Sequence, residues 1–285
     1  MKKILVTGAH GQVGTELNFL SSLLENLSFT FVDRVALDIT DFDAVTKFLS
    51  NGNFGVLINC AAYTTVDKAE SEAELAFKIN ADGVGILAKT CKDFHCKFIH
   101  ISTDFIFDGN TSIPLLEDQS TNPLSVYGAS KLAGEKLALE NNPDTIIIRT
   151  SWVYSSFGNN FVKTILKLCK ERESLNIIYD QIGTPTYARD LAAAILKIVQ
   201  QETWKPGVYN YSNEGVASWY DFAIAVRDMA GLKTKLSPIE TSQYPTPAVR
   251  PKYSVLNKKK IKEAFGFEIP YWRDSLHKCM GLINL

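Results

Sequence analysis

Short apolar runs rich in β-branched residues alternate with longer segments of helical periodicity along the first half of the chain. The runs are KILVTG, SFTFVD, GVLINCAA, KFIHIST, TIIIRT and NIIYDQ, and the segments predicted to be helical cover about 12–25, 41–51, 72–95, 128–141 and 159–172. Strands that are apolar throughout and alternate with helices are typical of a parallel sheet covered on both faces. The pattern predicts an α/β protein with a Rossmann-like, doubly wound parallel sheet.

This alternation loosens after residue 151, where prolines become frequent and TSQYPTPAVRPKYS reads as an irregular segment. We therefore predict a dinucleotide-binding domain over 1–151 and a smaller C-terminal α/β substrate domain that takes up most of 152–285. The stretch IGTPTYARDLAAAILKIVQ resembles a return to the first domain, so we expect a discontinuous boundary with that return at about 174–202.

The composition excludes several classes of protein. With 30 basic against 31 acidic residues, the chain lacks the charge excess of a nucleic-acid binder or a disordered tail. Its 5 cysteines form no C-x-x-C pair, which argues against a disulfide framework or a zinc site. The apolar run after MKK is too short for a signal peptide, and no segment is long enough to span a membrane. We expect a cytoplasmic protein that binds neither nucleic acid nor membrane and whose partner is a small molecule or another subunit.

Three glycines, Gly8, Gly11 and Gly14, follow the first predicted strand directly and lead into a helix. Such a turn lets backbone N–H groups approach a pyrophosphate at the helix N-terminus, where the helix dipole favours negative charge. The alternative is a tight strand-to-helix turn without a ligand. Its place after the first strand of an alternating chain favours a dinucleotide.

The second predicted strand ends at Asp33, which Arg34 follows. An acidic residue there accepts a hydrogen bond from the ribose 2′-hydroxyl of NAD, whereas an arginine holds the 2′-phosphate of NADP. Both NADPH and NADH therefore stay open as cofactors. Asp38 and Ile39, in LDIT, are candidates for the adenine site, although the same residues also suit the start of a helix.

Tyr127 stands four residues before Lys131 in SVYGASKLAGEK. In a helix these side chains lie on one face, and a nearby ammonium would lower the pKa of the phenol. The small residues between them would leave that face open to a nicotinamide. The alternative is a surface helix with an incidental Tyr/Lys pair. Upstream, the strand KFIHIST ends in hydroxyl groups, among them Thr103, at the strand end where open α/β sheets bind ligands.

These motifs occur together in the order of the extended short-chain dehydrogenases/reductases, which the chain resembles over almost its whole length. The resemblance rests on TGAHGQVG, NCAAYTTVDKAE, ISTDFIFDG, YGASKLAGE, RTSWVY, GNNFVKT, DQIGTPTYARDLA and RPKYSVL. It implies that NADPH or NADH reduces the C4 keto group of a dTDP-4-keto-6-deoxy-L-hexose, with a tyrosine as the proton donor.

The resemblance also assigns roles to individual residues. The implied catalytic residues are Thr103, Tyr127 and Lys131. The implied cofactor site adds Gly8, Gly11, Gln12, Val13, Gly14, Asp38, Ile39, Ala61, Ala62 and Tyr63 to the candidates Asp33 and Arg34. The nucleotide sugar would contact Val66, Asp104, Phe105, Trp152 and Asn160.

Some members of this family pair through a metal ion held by acidic side chains. Glu16 matches one of these positions, but the second position has Arg189 and Asp190 in place of two acids. We therefore predict no metal site and no metal-bridged dimer, leave a homodimer open, and interpret Glu16 as a solvated surface carboxylate.

Two other functions stay open: a nucleotide-sugar epimerase or dehydratase, and a non-catalytic subunit like the regulatory subunit of methionine adenosyltransferase.

Overall fold

The computed structural model describes residues 1–266 and 268–283. Its strands are β1 (Lys2–Thr7), β2 (Leu27–Val32), β3 (Val56–Asn59), β4 (Lys97–Thr103), β5 (Ile146–Thr150), β6 (Val153–Tyr154), β7 (Ser174–Ile178), β8 (Ile182–Gly183), β9 (Thr186–Tyr187), β10 (Gly207–Asn210), β11 (Ala217–Ser218) and β12 (Lys235–Ile239). Its α-helices are α1 (Gln12–Ser21), α2 (Phe42–Gly52), α3 (Val66–Ala69), α4 (Ala73–Phe77), α5 (Gly83–Asp93), α6 (Val126–Asn141), α7 (Phe161–Glu171), α8 (Ala188–Gln200), α9 (Trp219–Met229), α10 (Lys259–Phe265) and α11 (Trp272–Met280).

A 6-stranded sheet in the order β2-β1-β3-β4-β5-β10 forms the centre of the molecule. Its strands all pair in parallel, which confirms the predicted doubly wound fold. Because β1 pairs with both β2 and β3, the direction in which the sheet grows reverses there. In open α/β sheets, ligands bind at the carboxyl ends of the strands that flank such a reversal.

Alternate residues of each central strand pack into different cores on the two faces of the sheet. In β1, Ile4 and Val6 join a core with Leu17 of α1 and Leu191 of α8. Leu5, between them, belongs to the opposite core, which includes side chains of α2 and α5. Burial on both faces explains why the strands read as continuous apolar runs.

The helix predicted over 72–95 is instead three segments. A π-helical turn, Lys78–Asp82, separates α4 from α5. Within that turn, Asn80 is buried and forms hydrogen bonds with the backbone N–H and carbonyl of Tyr63 and with the hydroxyl of Ser130. These contacts draw the turn towards α6, and periodicity alone contains no sign of such a side-chain contact.

Another core, called the second core below to distinguish it from the two that flank the central sheet, is built from the later part of the chain. It combines α7, α9 and α11 with β7 and β12, which pair in parallel. Residues of α8 belong to the core of the first sheet, and β10 pairs with β5. The chain thus returns to the first sheet at α8, whereas β7 lies in the small sheet, and the domain boundaries themselves stay a prediction.

The interpretation of Glu16 as a solvated surface carboxylate is wrong. Its side chain is 0% exposed and accepts hydrogen bonds from Arg189 Nε at 2.7 Å and Ser155 Oγ at 2.6 Å. Asp190 is likewise engaged within the chain, by Asn213 and Ser275. The pair of Glu16 and Arg189 joins α1 to α8.

Among the helices of residues 1–266 and 268–283, none is long and apolar enough to cross a membrane.

Replacing Glu16 with alanine should lower the free energy of unfolding by about 3 kcal/mol, because Arg189 and Ser155 lose a buried acceptor. Urea denaturation monitored by circular dichroism measures this change. The control is Glu171→Ala, which removes the exposed ion pair with Lys167 and should cost less than about 1 kcal/mol. Equal losses for the two variants would show that the buried pair does not hold the helices together.

Candidate active site

The glycine turn after β1 brings backbone against backbone. Gly8 has a φ of +71°, and a Cβ atom there would lie 2.5 Å from the backbone N of Ala61. A Cβ atom on Gly14 would lie 2.3 Å from the carbonyl oxygen of Gly8. Neither position therefore has room for a side chain, and the turn is held tightly against the loop that follows β3.

A cleft of about 410 Å³ opens where this turn meets the ends of β2 and β3. It is lined by Thr7, Gly8, His10, Gly11, Asp33, Arg34, Leu37, Asp38, Ile39, Cys60, Ala61, Ala62, Tyr63, Thr64, Thr65 and Ile79. Helix α1 starts beside it, and its N-cap residue, Gly11, contributes no side chain to cap the first turn. Free N–H groups at the positive end of a helix suit a pyrophosphate.

Asp33 and Arg34 both lie at this cleft. The backbone N–H groups of Ala36 and Val35 donate to the Asp33 carboxylate, and His10 Nε2 lies 3.1 Å from it. The hydrogen bond from Ala36, aided by His10, lowers the pKa of Asp33. Arg34 is exposed, and its Nε lies 3.3 Å from a carboxylate oxygen of Asp38. The two opposing specificity candidates thus both line the cleft, and each is held by a different partner.

The loop Ala61–Tyr63 also lines the cleft. Asn80 holds the backbone of Tyr63 through both its N–H and its carbonyl, and the Tyr63 hydroxyl donates to Glu72 at 2.8 Å. Neither Asn80 nor Glu72 was predicted from the sequence as part of the site. Asn80 lies 17 residues further along the chain in the π-helical turn, and Glu72 lies 9 residues along as the N-cap of α4, so the fold brings both to the loop.

Helix α6 presents Tyr127 and Lys131 on successive turns. It starts at Val126, two residues before the predicted start at about 128, and Ser125 at the N-cap accepts a hydrogen bond from Gly128 N. A Cβ atom on Gly128 would lie 2.2 Å from the carbonyl oxygen of Phe105. The small residues therefore serve to pack α6 against the end of β4, and the expectation that they leave the helix face open to a nicotinamide is wrong for Gly128.

Thr103, Asp104 and Phe105 meet Tyr127 at the carboxyl end of β4. The Thr103 hydroxyl donates to Asp104 Oδ1 at 3.1 Å and accepts from Phe105 N, while the Phe105 ring meets the Tyr127 ring edge to face at 5.7 Å. Asp104 is buried, and burial raises its pKa to about 6 against the opposing hydroxyls of Ser254 and Thr103.

Burial also sets the protonation states of the Tyr/Lys pair. It raises the pKa of Tyr127 to about 12, an effect to which the Asp104 charge adds and which the Thr103 hydroxyl opposes. Burial lowers the pKa of Lys131 to about 8, against the carboxylate of Glu135 and the thiol of Cys60. The Lys131 amine donates to the carbonyl of Ile101 at 2.6 Å. The expectation that Lys131 lowers the pKa of Tyr127 is wrong in this structure, where Tyr127 is a neutral phenol.

The remaining candidates lie towards the second core. Asn160 caps α7 and donates to Gln12 Oε1 at 3.0 Å, and Gln12 in turn donates to the carbonyl of Val153. Trp152 has a φ of +46°, and its ring stacks on that of Trp219 at 3.6 Å, a partner that the sequence analysis missed. Val66 starts α3, and Val13 packs against the first core.

Comparisons with known proteins place these features in a family. The RmlD substrate binding domain family matches residues 1–284. The chain is 42% identical to the dTDP-4-dehydrorhamnose reductase of Aggregatibacter actinomycetemcomitans, with 97% of each chain covered. A crystal structure of a dTDP-4-dehydrorhamnose reductase from Clostridium acetobutylicum superposes with a TM-score of 0.95 at 40% identity, covering 99% of this chain and 100% of that one. The enzyme of the same name from Bacillus anthracis, solved in complex with NADP, superposes with a TM-score of 0.93 at 37% identity, covering 98% of this chain and 99% of that one.

The raised pKa of Asp104 predicts how its replacement changes stability with pH. The folded state keeps this proton to higher pH than the unfolded state, so the wild type should lose stability as the pH rises from about 4 to 6. Asp104→Asn lacks this loss. Its free energy of unfolding relative to wild type should therefore rise by about 2–3 kcal/mol between pH 4 and pH 7, as measured by urea denaturation.

A matched control is Asp108→Asn. The backbone N–H of Asn110 and the side chain of Asn122 lower the pKa of Asp108 from its usual 3.8, so the stability of this variant relative to wild type should change mainly below about pH 4 and should not rise between pH 4 and pH 7. A relative stability of Asp104→Asn that does not change with pH would show that its carboxyl group titrates alike in the folded and unfolded states.

Proposed function

This chain belongs to the RmlD substrate binding domain family, and we propose that it reduces the C4 keto group of dTDP-4-dehydro-L-rhamnose with NAD(P)H to give dTDP-L-rhamnose. One observation carries the proposal. A neutral phenol, Tyr127, stands at the carboxyl end of β4 with Lys131 one helical turn away, in the same fold as a cleft suited to a dinucleotide. The full-length similarity to enzymes of that name supports the choice of substrate.

The proposed cofactor site follows the cleft from one end to the other. The free N–H groups at the start of α1 and the turn Gly8–Gly14 would hold the pyrophosphate. Asp33 and Arg34 would face the adenosine ribose, Asp38 and Ile39 the adenine, and Ala61–Tyr63 the nicotinamide half. When bound, the reduced nicotinamide supplies the hydride for C4 of the sugar.

The protein supplies the proton and the alignment. Tyr127 donates its phenolic proton to O4 as negative charge develops there, which its raised pKa permits because the donor must be protonated at neutral pH. Lys131 would bind the nicotinamide ribose and return a proton to Tyr127. Thr103 would align the keto oxygen once its hydroxyl turns away from Asp104.

Side chains after β4 and β5 and at the starts of α3 and α7 would bind or position the nucleotide sugar. These are Val66, Asp104, Phe105, Trp152 and Asn160. The side chain of Asn160 already serves as the cap of α7 and as a partner of Gln12, so its contribution would be to hold the first turn of α1 beside the substrate. Trp152, stacked on Trp219, would offer a flat apolar surface.

An epimerase or dehydratase of this fold would also use a Tyr/Lys pair but would recycle its bound nicotinamide. Reduction instead consumes one NAD(P)H for each sugar. The test supplies the purified protein with dTDP-4-dehydro-L-rhamnose and NADPH or NADH, and follows the loss of absorbance together with the identity of the sugar. Conversion of the sugar without net oxidation of the cofactor would contradict the proposal, as would the absence of any conversion.

Tyr127→Phe should reduce kcat by about 10²- to 10⁴-fold, because it deletes the proton donor while retaining the ring. The KM for NADPH should change little. Steady-state kinetics measure both values, and the edge-to-face contact with Phe105 predicts that the variant remains folded. If the variant retains more than about a tenth of the wild-type kcat, the phenol is not the acid.

Asp33→Ala should shift cofactor preference towards NADPH by removing a negative charge that repels a 2′-phosphate. The wild type should use both cofactors with a modest preference, since one exposed charge contributes about 1 kcal/mol. The ratio of kcat/KM for NADPH and NADH measures the shift, with Asp43→Ala on the first turn of α2 as the control. An unchanged ratio would place Asp33 outside the ribose pocket.

A further inference from the structure

A chain of buried polar side chains runs from the loop after β3 to Lys131. Asn59, the last residue of β3, is 0% exposed, as is its neighbour His100 on β4. Asn59 Oδ1 accepts from the backbone N–H of Ala61 at 3.1 Å and pairs with the Thr7 hydroxyl at 2.6 Å. Asn59 Nδ2 lies 3.1 Å from His100 Nδ1, and His100 Nε2 lies 3.4 Å from Lys131 Nζ.

The hydrogen bond from the backbone N–H of Ala61 to Asn59 fixes the direction of every other hydrogen bond in this series. A backbone N–H is a donor, so the atom of Asn59 that Ala61 contacts must be the amide oxygen. The atom facing His100 is then the NH₂ group, which donates, and His100 Nδ1 must carry a lone pair. A neutral imidazole with a lone pair on Nδ1 has its proton on Nε2.

That Nε2–H group points towards the amine of Lys131. An ammonium has three N–H donors and no lone pair, so it would meet His100 donor to donor. A neutral amine has a lone pair that accepts from His100 and keeps an N–H for the carbonyl of Ile101. The hydrogen-bond pattern therefore favours the neutral amine.

The charged and titratable groups around Lys131 come from several elements. Glu135 lies on the same helix and is shared with Arg149 of β5, its ion-pair partner at 2.8 Å. Cys60 follows β3, and burial raises the pKa of its thiol to about 12, which leaves it neutral. Burial holds the pKa of His100 well below its usual value, and a positive charge on Lys131 would lower it further, so His100 is neutral in either state of the lysine.

We propose that His100 is a positioning residue for the reduction, held by Asn59 as the Nε2–H tautomer, and that it acts through Lys131 by favouring the neutral amine. Its catalytic consequence rests on the proposed function. A lysine that loses its proton easily returns that proton readily to Tyr127 after each turnover. The same feature makes the rate fall at alkaline pH, once Lys131 is neutral before catalysis begins.

The tautomer is tested first, in the wild-type protein and without an activity assay. The chain has 4 histidines, so ¹⁵N-histidine labelling gives few imidazole signals, and His100→Gln assigns the one of interest. We expect long-range ¹H–¹⁵N spectra to show a protonated Nε2 and an unprotonated Nδ1 throughout the neutral range. A protonated Nδ1, whether in the other tautomer or in an imidazolium, would overturn the proposal.

The second test reverses the chain of hydrogen bonds with Asn59→Asp. A carboxylate oxygen still accepts from Ala61, but its other oxygen accepts a hydrogen bond from His100 Nδ1–H, which leaves the Nε2 lone pair facing Lys131. The ammonium is then favoured. The alkaline limb of the kcat/KM profile should move up by about one pH unit. Asn26→Asp, in the exposed turn before β2, adds the same charge at the surface and should leave the limb in place.

The pH dependence of acylation of the Lys131 amine, followed by peptide mass spectrometry, gives the same information without substrate. A midpoint that moves upward in Asn59→Asp supports the proposal even if the protein reduces no sugar, which would contradict the proposed function alone. If His100 in Asn59→Asp carries its proton on Nδ1 but the midpoint of Lys131 acylation does not move, the proposed role of His100 is overturned. If Asn59→Asp does not fold, the tautomer of the wild type decides.

Discussion

The close approach of two backbone segments at the switch point of the sheet determines the site. Gly8 lies against the first peptide after β3, and Gly14 lies against Gly8, with no room for a side chain at either position. This contact places the start of α1 beside the cleft at the carboxyl ends of β1 and β3, with its N-cap residue Gly11 lining the cleft. Each part of the proposed cofactor site is arranged around that contact.

The same kind of contact seats the catalytic helix. Gly128 packs on the carbonyl of Phe105, and Gly134 packs on the carbonyl of Asn80 in the π-helical turn. Close packing buries Lys131 beside β4, and burial then lowers the pKa of its amine and raises that of the Tyr127 phenol. Backbone packing at the glycines thus sets the pKa values of Tyr127 and Lys131, on which the proposed proton transfer depends.

The sequence predicted what is local or periodic. Apolar alternation was sufficient for the doubly wound sheet, and spacing was sufficient to place Tyr127 and Lys131 on one helix face. It did not predict contacts between side chains distant in the chain, such as Glu16 with Arg189 or Asn59 with His100. Those pairs depend on how the fold brings distant segments together, and each residue alone looks like an ordinary polar residue. The pKa values of the site depend on such contacts and on burial, which is why the expected effect of Lys131 on Tyr127 was wrong.

The most direct measurement of the proposed reaction is the fate of the hydride. The protein would be incubated with dTDP-4-dehydro-L-rhamnose and NADPH that carries deuterium at C4 of the nicotinamide on the transferred face, and the product sugar would be analysed by NMR and mass spectrometry. A reductase of the kind described here places one deuterium at C4 of dTDP-L-rhamnose and oxidises one NADPH for each sugar formed. A product without deuterium at C4, or a sugar converted while the labelled NADPH persists, would contradict direct hydride transfer in this site.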